Sequence, residues 1–132
     1  MWGGIGLRVS YRYRDLIAWQ KAKGLVVETY RLTKEFPQAE LYGLTAQMRR
    51  AAISVASNIA EGQGRLAIGE FVHFLGQARG SLLELKTQLE IALELAYLSS
   101  SSYEKCEALT AEVERLINGL IEALRVRKTA QG

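Results

Sequence analysis

The chain has 132 residues, 48% of them hydrophobic, enough for one globular domain whose core needs no disulfide or metal staple. Its formal charge of +3 lies wholly in the first fourteen residues, where Arg8, Arg12 and Arg14 precede Asp15, so composition gives no support for a broad electrostatic footprint on the body, although a neutral body can still carry a basic face once folded. One cysteine excludes an internal disulfide, and no apolar run is long enough for a membrane span or a signal peptide, which makes a cytoplasmic location the expectation.

In chain order, residues 1–14 read as a basic tail and 15–128 as an all-α domain. Asp15 is the expected N-cap of a first helix reaching Phe36, with Ala18, Ala22, Leu25, Thr29, Leu32 and Phe36 on one face. Pro37, the only proline, ends it. A connector over 37–43 leads to Thr45, the expected cap of a second helix ending near Gly62.

This second helix carries two apolar stripes. Leu44, Met48, Ala52, Val55 and Ile59 form one; Ala46, Ile53, Ala56 and Ala60 form another, rotated by roughly a hundred degrees. Gln47, Arg50, Ser54, Asn58 and Glu61 occupy what remains. A helix apolar on two sides needs two neighbours, so the second stripe is the expected oligomer interface.

Gly62 and Gly64 mark a turn, and a third helix is expected from Ile68 to Ala96. Its seam is Phe71, Phe74, Ala78, Leu82, Leu85, Leu89, Ala92 and Ala96, widened by Leu75, Leu83, Ile91, Leu93 and Leu95. Ser101 and Glu104 form a capping-box pattern that starts a fourth helix, ending near Arg125. Its expected seam is Tyr103, Cys106, Leu109, Val113, Leu116, Leu120 and Leu124, with Arg125, Arg127 and Lys128 suited to the negative end of the helix dipole. Short connections between long helices predict an antiparallel up-down-up-down four-helix bundle, and the surplus stripe predicts a ring-like oligomer.

Candidate chemistry is sparse. Glu70, His73, Gln77, Ser81, Glu84 and Gln88 make a polar stripe on the third helix that can face the one on the second, with Arg50 and Glu84 at matching heights for an ion pair. Glu70 and His73 have the Glu-x-x-His spacing of di-iron bundles, but His73 is the only histidine, which gives half a site at best. No catalytic set, metal site or cofactor is therefore assigned. Cys106 reads as a small buried hydrophobe.

Taken together, several short motifs resemble those of the four-helix bundle proteins encoded in 23S rRNA intervening sequences. They are Trp19-Gln-Lys-Ala22, Phe36-Pro37 followed by Glu40, Tyr42-Gly43-Leu44-Thr45, Gln47, Arg49-Arg50-Ala51, Ser54, Asn58-Ile-Ala-Glu61-Gly62, and Gly80-Ser81 with Glu84-Leu85. The resemblance spans about Asp15 to Leu124. It implies a homopentamer, and the fold is distantly similar to the pentameric accessory protein of diversity-generating retroelements, which associates with reverse transcriptase and nucleic acid. The expected function is a non-enzymatic homo-oligomeric scaffold binding RNA or a nucleic-acid-processing partner. Arg49, Arg50, Arg65 and Arg79 are its phosphate-contact candidates, and Gln47, Ser54, Asn58, Glu61, Ser81 and Glu84 its structural polar stripe. The alternatives are a protein-interaction module without nucleic acid and, ranked last, a metal-dependent enzyme using Glu70 and His73.

Overall fold

The computed structural model describes Tyr13 and residues 16–131. These form four α-helices, α1 (Ile17–Thr33), α2 (Leu44–Gln63), α3 (Ile68–Glu94) and α4 (Ser100–Gln131), with a 3-10 turn at Gln38–Glu40 between α1 and α2. No strand occurs among the described residues. None of the helices is long and apolar enough to cross a membrane. The basic tail, apart from Tyr13, and the expected cap Asp15 lie outside the described residues.

The expected face of α1 is buried throughout: Ala18, Ala22, Leu25, Thr29, Leu32 and Phe36. Two threonines enter this apolar face because each hydroxyl donates to a carbonyl one turn back, Thr29 to Leu25 and Thr33 to Thr29, both at 2.7 Å. The helix stops at Thr33, short of the expected Phe36. Phe36 precedes a proline and so avoids helical geometry, yet its ring still turns inward and packs 5.4 Å from that of Tyr97.

The start of α2 corrects a second expectation. Thr45 is not its cap but a buried residue in the first turn, and Gly43 stands at the N-cap position. The missing side-chain acceptor comes from Glu40, whose Oε1 accepts the Leu44 N–H at 3.0 Å while Oε2 accepts the Tyr97 hydroxyl at 2.9 Å. The Leu44 N–H, then the Tyr97 hydroxyl, hold the Glu40 carboxyl below its ordinary value. A Cβ at Gly43 would stand 2.8 Å from Glu40 Oε1, so any larger residue there has to displace this capping carboxylate.

Met48, Ala52, Val55 and Ile59 of the first stripe on α2 are buried, with Leu44 half-buried and Ala51 added to the core. At the α2–α3 corner a Cβ on Gly62 would fall 2.8 Å from Phe74 Cβ, so glycine sets how closely the two helices approach. Gly64 takes ordinary right-handed geometry, with φ at −77°.

On α3 the buried set is Leu75, Ala78, Leu82, Leu85, Gln88, Leu89 and Ala92. Phe71 and Phe74 are only partly buried. Leu83, Ile91 and Leu95, expected to widen the core, face outward, and Gln88, expected on the polar stripe, faces in. The helix ends in a Schellman turn: the Tyr97 N–H reaches Ala92 O and the Ala96 N–H reaches Leu93 O, both at 2.9 Å. Ala96 is therefore an exposed residue at φ 61°, outside the seam it was assigned to.

Ser99, and not Ser101, caps α4, its hydroxyl accepting the Ser102 N–H at 3.1 Å. The buried row is Cys106, Thr110, Val113, Ile117, Ile121 and Leu124, while Tyr103, Leu109, Leu116 and Leu120 flank it half-buried. The helix continues past Arg125 to Gln131.

Each helix packs on two others, α1 on α2 and α4, and α3 on the same pair. Lys21 pairs with Glu112 and Glu28 with Lys105; Arg79 bonds Asn118 and Lys86 bonds Glu114. In both helix pairs the residue numbers rise along one helix as they fall along the other. Each fully buried Leu or Ile contributes about 1.5–3 kcal/mol, against about 0–1 for an exposed ion pair, so the shared core sets the fold.

Candidate nucleic-acid interface

The polar stripes of α2 and α3 meet. Ser54 Oγ and Ser81 Oγ lie 2.8 Å apart, and Asn58 Nδ2 donates to both the Ser54 carbonyl at 2.9 Å and its hydroxyl at 3.0 Å. Gln47, Arg50, Ile53 and Glu84 stand around this pair, giving a groove of about 380 Å³. The predicted Arg50–Glu84 ion pair is absent from the described residues: both residues are exposed and line the groove with the bonded serines. A solvated pair gains little over two hydrated charges, so matching height alone does not join them. Glu61 is separate from the network, paired instead with Arg65 at 2.8 Å.

The four candidate arginines do not form one patch. Arg49 turns toward α1, its Nε donating to Thr33 Oγ1 at 3.0 Å and its guanidinium lying 4.5 Å from the Tyr30 ring. Arg79 turns toward α4 and donates to Asn118 Oδ1 at 2.7 Å. Arg65 sits at the hairpin end, over the Phe74 ring at 4.7 Å. Arg50 is exposed and has no partner among the described residues.

The second stripe of α2 lies at the surface. Ile53 is 42% exposed, and Ala46, Ala56 and Ala60 are half-buried. Ile53, Ala56 and Ala60 join Trp19, Val26 and Val27 in an apolar cleft of about 330 Å³ between α1 and α2. A different apolar row runs along the outside of α3, where Gly76, Gly80, Leu83, Thr87 and Ile91 follow helical spacing and a Cβ on either glycine would meet nothing within 4 Å.

A larger cleft, of about 720 Å³, opens at the hairpin end, walled by Leu16, the 65–67 turn, the first turn of α3 and the last turns of α4. It brings Arg65 together with Arg127 and Lys128. Sequence assigned the latter two only to the helix dipole; the signal for more was the continuation of α4 beyond Arg125, which carries both to this end.

His73 and Glu70 do not converge on further ligands. Gln77 Nε2 donates to His73 Nε2 at 3.2 Å, Glu70 lies in the wall of the hairpin-end cleft, and no group of three or more potential metal ligands gathers among the described residues. Cys106 is wholly buried, and burial, aided by the charges of Glu28 and Glu107, pushes its thiol up to about 12.

Residues 14–119 match the family model described as 23S rRNA-intervening sequence protein. The fold matches, at a TM-score of 0.75 and 20% identity, the 1.70 Å crystal structure of a protein of unknown function from the S23 ribosomal protein family of Bacteroides thetaiotaomicron, over 80% of this chain and 96% of that one. No curated protein matches.

Proposed function

Starting from a chain that belongs to the 23S rRNA-intervening sequence protein family, we propose that it is a non-enzymatic scaffold of the cytoplasm, an antiparallel up-down-up-down bundle that closes into a ring of identical subunits. The antiparallel order is supported by the cross-helix pairs of α1 with α4 and α3 with α4. Five subunits follow from the family resemblance. The ring then offers RNA, or a nucleic-acid-processing protein, the same weak contact many times over, so that modest sites sum to useful affinity.

The observation that carries this reading is the pair of unlike apolar surfaces on one subunit. The α1–α2 cleft with Ile53 is one, and the outer row of α3 with Leu83 and Ile91 is the other. A ring of more than two members needs two different complementary patches, whereas a two-fold dimer reuses one. The glycines of the α3 row let a neighbouring helix approach closely, and the exposed Ile53, Val27, Leu83 and Ile91 supply the apolar area.

The test separates the two patches. Ile53→Asp and Leu83→Asp each place an unpaired carboxylate in one of them, and each variant alone is expected to be monomeric by light scattering. Mixed together they retain one intact pairing, so a heterodimer is expected. Full assembly of either single variant would overturn the proposal.

A protein-interaction module without nucleic acid is the second reading. It is favoured by Arg49, Arg65 and Arg79 being held by side chains of their own subunit. RNA affinity of the wild-type ring at low salt decides between the two.

A further inference from the structure

We infer that the cleft at the hairpin end binds one nucleotide of single-stranded RNA, its phosphate held by Arg65, Arg127 and Lys128 and its base laid on the apolar floor. This rests on the nucleic-acid reading above and gives it a location. At about 720 Å³ the cleft has the size of a small-molecule site and is nearly twice the volume of the Ser54–Ser81 groove, at about 380 Å³. Among the described residues its lining holds three cations and one carboxylate, Glu70, with Glu61 paired to Arg65 beside it. That excess stands out in a body whose charges balance from residue 15 onward. In the groove over Ser54 and Ser81, by contrast, Arg50 is offset by Glu84, and the α1–α2 cleft holds Lys23 alone.

The cationic rim is well placed for a phosphate. Lys128 has no ion pair among the described residues, and its Nζ lies 3.0 Å from where a Cβ on Gly69 would stand. Glycine at 69 therefore leaves room for the ammonium against the first turn of α3, which adds the positive end of that helix to the same spot. Arg65 can exchange its exposed partner Glu61 for a phosphate at little cost, because an exposed ion pair contributes little.

The floor is apolar and includes a ring. Leu66 is fully exposed, and Ile68 and Phe71 lie beside it. A nucleotide joins an anion to a flat apolar face within a few ångströms, and unpaired RNA bases bind by stacking on aromatic side chains next to a basic track. Leu16 lines the cleft, and the sequence before it carries Arg8, Arg12 and Arg14 against Asp15 alone, so its net charge has the sign of the rim and an anion is the better-matched occupant.

The test is fluorescence anisotropy of the full-length protein with a 3′-labelled twelve-nucleotide uridine strand, titrated at several salt concentrations. The double variant Arg127→Glu and Lys128→Glu is expected to lose about ten-fold or more in affinity at low salt, with the salt slope reduced by about one to two. Leu66→Ser, at a residue with no packing role, is expected to weaken binding while leaving that slope unchanged. Unaltered helical circular dichroism shows that each variant is folded.

Wild-type binding that all these variants retain would overturn the cleft assignment and leave the nucleic-acid reading standing. No wild-type binding at low salt would end both. Equal sensitivity of heparin binding to Leu66→Ser would overturn the base contact, and tighter RNA binding after deletion of residues 1–12 would identify the chain's own N-terminus as the occupant.

Discussion

Gln88 gives the sharpest stability prediction, because the core holds an amide it has not satisfied. The residue is 6% exposed on the inner side of α3, and its Oε1 is buried with no donor among the described residues. A buried acceptor without a partner costs about 1–3 kcal/mol relative to an apolar group of the same shape. Methionine nearly matches glutamine in length and volume and has flexible rotamers, so Gln88→Met removes the penalty without opening a cavity. Its thioether also adds some apolar burial, though part of the gain is lost because the glutamine amide nitrogen gives up its own solvation. The expected net stabilisation is about 1–2 kcal/mol, or roughly 3–8 °C in Tm for a chain of this length. Guanidinium unfolding at one fixed protein concentration measures it, since the proposed assembly would shift apparent stability by mass action. A midpoint lowered at unchanged m, equivalent to a loss of about 1 kcal/mol or more, would refute the reasoning and mean that the carbonyl has a donor in solution.

Other outcomes follow from single contacts. Ala96→Gly relieves a left-handed alanine at the Schellman turn and is expected to stabilise by about 0.5–1 kcal/mol, measured by the same unfolding curves. Arg49→Ala removes the bond to Thr33 and the contact over Tyr30, so it is expected to cost about 1–2 kcal/mol of stability while leaving RNA affinity unchanged in the anisotropy assay. Glu40 has a folded pKa below its unfolded value; its contribution is complete above the ordinary carboxylate range and is lost as pH falls through the folded pKa. Stability measured from pH 6 down to pH 3 should therefore fall less steeply in Glu40→Gln than in wild type. Cys106, buried and with its thiol pushed up to about 12, should resist iodoacetamide at pH 8 until the protein is unfolded, as followed by mass spectrometry.

Much of the fold is legible in the sequence where one periodic solution dominates. On α1 the spacing from Ala18 to Phe36 admits a single face, and all six residues are buried. On α4 the apolar pairs Leu116-Ile117 and Leu120-Ile121 permit two faces about one residue apart, and packing against α1 and α3 selects Ile117 and Ile121. The helix caps are ambiguous in the sequence for a similar reason. A run of four serines offers several equivalent starts for α4, and the acceptor at the start of α2 is Glu40, fixed in place by the distant Tyr97.

The candidate site divides along the same line. The meeting of Ser54, Asn58 and Ser81 follows from two stripes on neighbouring helices, which residue spacing reveals. The fate of each arginine does not, because a long side chain reaches whichever neighbour the helix phase presents: Thr33 and Tyr30 for Arg49, Asn118 for Arg79. The hairpin-end cleft joins residues near 16, 65–71 and 120–128, and only the closed fold brings those stretches together.

If further copies of this chain cover the apolar surfaces of α2 and α3, native mass spectrometry of the wild-type protein at micromolar concentration will show one closed species of five chains with little monomer. A protein that stays a single 14.7 kDa chain across the concentration range, with Ile53 and Leu83 left in water, would refute the ring.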